Sequence, residues 1–201
     1  MRSIDLEEMS TLLYYELVSR YRTYDCIKKR ESKDCADIWL KSHKDHEFIS
    51  HIGFRKVTKN CKDNLKKLKK LPHNGFDHRM TADYISDAAR DLIDQFGVNH
   101  RINSKTPFRY EHMVPKNEYI LKPLKAKAAK GTLTKKHVKD LLEKYYYVAC
   151  ITIEEDSKLS KTSMPKKWDK QDIKARYTTA GIELKENTIV EELLKEAEDN
   201  I

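Results

Sequence analysis

Phe108-Arg109-Tyr110-Glu111-His112-Met113-Val114-Pro115-Lys116 and Tyr145-Tyr146-Tyr147-Val148-Ala149-Cys150-Ile151-Thr152-Ile153-Glu154-Glu155-Asp156 are the two most strand-like runs of this chain. Aromatic and β-branched residues recur in both, and such side chains suit a pleated, half-buried surface better than a helix. The first run closes on a polar pair, Glu111-His112. The second leads into Thr152-Ile153-Glu154-Glu155, a Thr and a Glu three residues apart, which reads as a capping box opening a short helix. Each run therefore delivers carboxylates where its strand stops, and one also delivers a histidine. The remainder reads as helical and lysine-rich. The expected fold is α+β and mostly helical, with a helical N-terminal part and a small two-stranded site followed by a helix.

Working outward, the segment between the two runs is strongly basic. From Lys116 to Lys144 there are nine lysines (116, 122, 125, 127, 130, 135, 136, 139, 144) against Glu118, Asp140 and Glu143. Asn117 opens a helix that Pro123 must kink or interrupt and Gly131 ends; Thr134 caps another through Val138, Leu141 and Leu142. Upstream, Asp5 and Glu8 precede an amphipathic helix reaching about Lys29, and a second helix is expected over Asp34 to Ser42. Tyr14, Tyr15, Tyr21 and Tyr24 fall at helical spacing, which favours packing over base stacking. His43, His46 and His51 do not repeat a helical face and no cysteine joins them, so no metal site is expected there. Arg55 to Lys70 carries eight basic residues against Asp63, a candidate phosphate-contacting helix. Pro72-His73-Asn74-Gly75 is a turn. Thr81 is read as the cap of a core helix lined by Ile85, Ala88, Ala89, Leu92, Ile93 and Phe96, with Gly97 as its stop.

Downstream, Ile173 to Tyr177 reads as helical with Gly181 as a stop, while Trp168 and Tyr177 are expected to pack on the sheet. Residues 183–201 hold seven acids against Lys185 and Lys195, with Ile189, Val190, Leu193, Leu194 and Ala197 as a helical stripe. Three regions result: a helical part over 1–100 with the basic helix 55–70, a site-bearing part over 101–182, and an acidic helical tail over 183–201.

The net charge of +8 is thus the difference between +13 over residues 1–182 and −5 in the tail. A field of that sign attracts polyanions, nucleic acid above all. Charged residues make up 36% of the chain, yet 39% apolar content is too high for a disordered one. Four cysteines, at 26, 35, 61 and 150, show neither C-x-x-C nor zinc-ribbon spacing, so reduced thiols are expected. No apolar run of about 18 residues is present, and Met1-Arg2-Ser3-Ile4-Asp5 has no signal-peptide character. No membrane partner is expected, and the expected location is cytoplasmic. G-x-x-x-x-G-K-[ST], G-x-G-x-x-G and G-x-S-x-G are all absent, which leaves P-loop, dinucleotide and hydrolase-elbow chemistry without support.

Phosphodiester cleavage needs an aimed water, a base for its proton and a cation at the departing oxygen. Glu111 can offer carboxylate oxygen to a hard divalent ion, and His112 can take a proton near neutral pH. Asp156, early on the helix after the second run, can supply a further ligand, with Glu155 as its local rival. Glu111-His112-x-Val114-Pro115, followed by a strand and an acidic helix, resembles the ββα-metal (His-Me finger, HNH) nucleases. The resemblance implies a site of ββα-metal type, with His112 as general base, Glu111 and Asp156 (or Glu155) as ligands of Mg²⁺ or Mn²⁺, and Asn117 steadying the histidine loop. Three departures stand out: Glu in place of Asp before the histidine, an acid on the helix in place of His or Asn, and two helices between the strands.

The expected function is accordingly a metal-dependent endonuclease of restriction or phage-defence type, acting on DNA rather than RNA, with a homodimer as an allowed assembly. Lys116, Asn117, Lys122, Lys125, Lys127, Lys166, Lys167 and Arg176 are the candidate nucleic-acid contacts. Two other readings of the residues stay open: a non-catalytic nucleic-acid-binding protein that uses its basic helices alone, and a protein-interaction module that uses its acidic tail.

Overall fold

The computed structural model describes residues 6–42, 81–97, 105–192 and 195. The histidine group at 43, 46 and 51, the basic stretch 55–70, the turn at 72–75, Cys61 and the tail positions Leu193, Leu194 and Ala197 lie outside the described residues.

Two helices open the chain, α1 (Leu6–Arg30) and α2 (Lys33–Ser42). Lys28, Lys29 and Arg30 close α1 with positive charge at its negative end. Met9, Leu13 and Leu17 recur on one face and are buried against Val114, Leu124, Val138 and Leu142. Tyr14 and Tyr21 pack partly into the same core. Tyr24 donates to Asp37 on α2 at 2.9 Å, whereas Tyr15 stays exposed beneath Lys135.

Next come β1 (Tyr84–Ser86), α3 (Asp87–Phe96), β2 (Phe108–His112), a π-helical turn (Asn117–Leu121), α4 (Lys122–Ala129), α5 (Lys135–Tyr145), β3 (Val148–Thr152), α6 (Ile153–Lys158), α7 (Ala175–Thr179) and β4 (Leu184–Glu186). The wide turn before α4 is how the chain absorbs Pro123. Proline has no N–H to give and its ring crowds the carbonyl of residue i−4, so it sits in the first turn of α4 with the backbone widened just before it. The caps read from sequence at Thr134 and Thr152–Glu155 both form, the second as a complete capping box.

The sheet has four strands in the order β2-β3-β1-β4, not two. β2 and β3 run antiparallel, β1 lies parallel to β3, and β4 is antiparallel to β1. The helix read as starting at Thr81 therefore starts later. Tyr84 and Ile85 pair with Ala149 and Cys150 of β3, and Ser86 is the cap, accepting from the Ala89 N–H at 3.2 Å. Gly97 ends α3 as expected, at φ 82°, a left-handed conformation open to glycine.

The tail is not a continuous helix from residue 183: Leu184–Glu186 is strand. Beyond it Ile189 is buried with Ala89 and Ile93 of α3, and Arg90 grips Glu192 with both guanidinium nitrogens, at 3.1 and 2.8 Å. Strands from either side of the expected boundaries at 100 and 183 thus share one sheet. Every residue of β3 is buried, since both its faces are covered. On one face Phe108, Val148 and Cys150 meet α3; on the other Met113, Ala149 and Ile151 meet Leu159 and Tyr177.

Candidate active site at the end of strand β2

Side chains alternate across a strand, and β2 keeps its register with β3 through His112, which pairs with Val148. Arg109, Glu111 and Met113 therefore share one face, and Phe108, Tyr110 and His112 the other. The His112 ring lies against Tyr146, with centroids 5.2 Å apart. Glu111 turns instead to Arg176. The expected convergence of an imidazole and two acids on one ion needs correction here: a period of two sends the adjacent pair to opposite faces. Among the described residues no group of three or more His, Cys, Asp or Glu side chains could hold a metal ion.

On the Glu111 face the structure gathers a different set. The Arg176 side chain is only 2% exposed, and its Nη2 donates to Glu111 Oε1 at 2.9 Å. The same guanidinium donates through Nε to the Met113 carbonyl at 3.2 Å, and to the carbonyls of His112 and Ser160. Asp156 sits on α6 above this face. Its Oδ2 accepts from Lys161 Nζ at 2.6 Å and lies 4.0 Å from Arg109 Nε, while its Oδ1 is buried without a hydrogen-bond partner. The Tyr177 hydroxyl is buried and equally unpartnered. Burial pushes its pKa up, the adjoining Arg176 guanidinium pulls it down, and the negative charges of Glu111 and Asp156 push it up. Both acids thus bear on one buried hydroxyl.

Glu155 faces elsewhere. Its Oε2 accepts from Ser86 Oγ at 2.6 Å and from the Thr152 N–H at 2.9 Å, so it ties the ends of β1 and β3 together. It is a structural cap and is unavailable as a rival ligand. Among the expected nucleic-acid contacts, Arg176 and Lys116 are buried, at 3% and 8% exposure, and present no charge at the surface. Arg176 is occupied by backbone and carboxylate, and Lys116 has its pKa lowered by burial. Asn117, Lys122, Lys166 and Lys167 are exposed, with Lys122 paired to Glu118 at 2.9 Å, and Lys125 and Lys127 are half-buried on α4. Trp168 packs on Tyr119 and donates its indole N–H to the Asp172 carbonyl.

His112 is held unprotonated. Burial, and then the positive charges of Lys116 and Arg176, lower its pKa to about 3. Its Nδ1 is buried without a partner.

Arg109, Ser160 and Lys161 were not singled out from the sequence, and Tyr177 was read only as packing on the sheet, which it does. Arg109 was within reach, because it lies two residues before Glu111 and must share its face. Lys161 and the Ser160 carbonyl follow an irregular turn that carries no periodic signal. Neither protein-family models, nor curated proteins, nor solved structures give a significant match to this chain.

Proposed function

We propose that the chain is a divalent-cation-dependent nuclease that hydrolyses phosphodiester bonds, in DNA ahead of RNA, at the end of β2. One observation carries this reading: Asp156 Oδ1 is buried without a partner on the sheet face that also bears Glu111. Buried polar atoms are nearly always satisfied, so an orphaned carboxylate oxygen on the face that also carries Glu111 supports an ion or ordered water as the missing partner. Glu111 and Asp156 fit Mg²⁺ or Mn²⁺, which take oxygen ligands and commonly use one or two carboxylates, with substrate phosphate completing the shell. Such an ion, when bound, supplies Lewis-acid stabilisation of charge on phosphoryl oxygens.

The chain's own residues do the rest. Arg109 and Lys161, exposed beside Asp156, offset the charge of an incoming phosphate. β2 is an edge strand, so a polynucleotide along its open side meets the face that carries the acids.

Plasmid nicking in Mg²⁺ or Mn²⁺ tests the reading. Wild type should nick, EDTA should stop it, and Asp156→Asn should lower the rate by about 10²-fold or more. Equal nicking by wild type and Asp156→Asn would remove the assignment.

A second reading, non-catalytic polyanion binding, is favoured by the charge around the acids. Two exposed cations, Arg109 and Lys161, lie within 4.0 Å of Asp156. That reading predicts steeply salt-dependent DNA binding with no cleavage under any divalent ion.

A further inference from the structure

Arg176 stands at the junction of three segments whose apolar residues Met113, Leu159 and Tyr177 also pack together. It grips the end of β2 through the His112 and Met113 carbonyls, holds the Glu111 carboxylate, and reaches the Ser160 carbonyl in the turn after α6. The residue after Ser160 is Lys161, whose ammonium engages Asp156 at 2.6 Å. One buried guanidinium therefore fixes Glu111 directly and Asp156 at one remove, by placing the turn from which Lys161 reaches back. A planar fork of five donors can serve several acceptors in fixed directions; an ammonium cannot.

We infer that Arg176 is the positioning residue of this site, setting Glu111 directly and Asp156 through the turn that carries Lys161. It touches no substrate in this arrangement, since its side chain is sealed from solvent. The dependence runs both ways: burying the guanidinium is tolerable because Glu111 neutralises it, and Glu111 is held in one orientation because Arg176 cannot move. The inference deepens the nuclease reading and rests on it for the purpose of the positioning, though not for the contacts themselves.

The test uses the full chain as wild type, Arg176→Gln and Arg176→Lys, each checked for a cooperative melt. The first readout is the NMR signal of the Lys161 ammonium, which is visible when its proton exchange is slowed by a fixed acceptor. The second is Mn²⁺ affinity. Wild type should show the ammonium signal, and both folded variants should lose it and bind Mn²⁺ about ten-fold or more weakly, as expected for losing a charge-assisted contact. Arg176→Lys should not rescue either readout, because charge without the fork is insufficient. An unchanged ammonium signal in a folded Arg176→Gln would overturn the positioning role, as would rescue by lysine. Unfolding of both variants would also overturn it, making Arg176 a core ion pair alone. Failure of wild type to bind Mn²⁺ would instead sink the nuclease reading, while the ammonium signal still decides what Arg176 holds.

Discussion

Glu155 and Asp156 are neighbours on one turn of helix, and the chain uses them for different ends. Glu155 is 9% exposed and spends its Oε2 on Ser86 and Thr152. Successive residues on a helix point about 100° apart, so anchoring Glu155 toward β1 turns Asp156 toward β2, where Arg109 and Lys161 meet it. His112 makes the complementary case on a strand. Its folded pKa of about 3 lies below the ordinary 6.5, so the unfolded chain binds a proton that the folded chain refuses. Stability is full above about pH 6.5 and is lost as pH falls toward 3. Wild type should lose about 1–2 kcal/mol more between pH 7 and pH 5 than His112→Phe, read from urea unfolding at the two pH values. Equal losses would show that the ring is already solvated. The sequence displayed Glu111, His112 and Asp156 because acids and a histidine beside strand-like runs stand out. It offered Arg176 only as a nucleic-acid contact because arginine is ordinarily a surface residue, and nothing local announces that this one is enclosed.

The elements divide in the same way. β2 and β3 were legible because one alternates Phe108 and Tyr110 with polar residues, the other runs apolar over residues 148–151, and each is followed by a distinct stop. β1 and β4 are three residues each, too short for any period to register, and only pairing makes them strands. The start of α3 shows the competition directly. Thr81 is an acceptable cap by type, but Asp83 accepts from the Val148 N–H at 3.0 Å and Tyr84 and Ile85 are drawn into the sheet, so the helix begins after Ser86. The junction of β1, α3, β3 and α6 then depends on Glu155, which joins two helix caps. Glu155→Ala should cost about 2 kcal/mol, because it leaves the buried Ser86 hydroxyl and the Thr152 N–H without their acceptor. Glu155→Gln should cost less, since it keeps an acceptor oxygen. Chemical denaturation measures both, and an alanine variant as stable as wild type would contradict the shared-cap account. Neither change should abolish Mn²⁺ binding, in contrast to Asp156→Asn.

At the scale of the molecule, the sheet is closed by strands drawn from distant parts of the chain, β1 before residue 100 and β4 after residue 183, and the described part of the acidic tail folds onto α3 through Ile189 and the Arg90–Glu192 pair. No described helix is long and apolar enough to cross a membrane. The excess of positive charge over residues 1–182 was plain in the sequence; its placement was not, since Lys116 and Arg176 are buried and other basic residues are engaged by acids along helices. What the fold brings together from these pieces is one sheet face with Glu111 and Asp156 around a buried, unpartnered hydroxyl. Mn²⁺ titration followed by electron paramagnetic resonance tests that assembly most directly. Wild type should bind one ion per chain, Glu155→Gln should match it, and the Glu111→Gln/Asp156→Asn double variant should bind none. Binding that survives in the double variant, or a wild type that leaves the ion free in solution, would contradict the site.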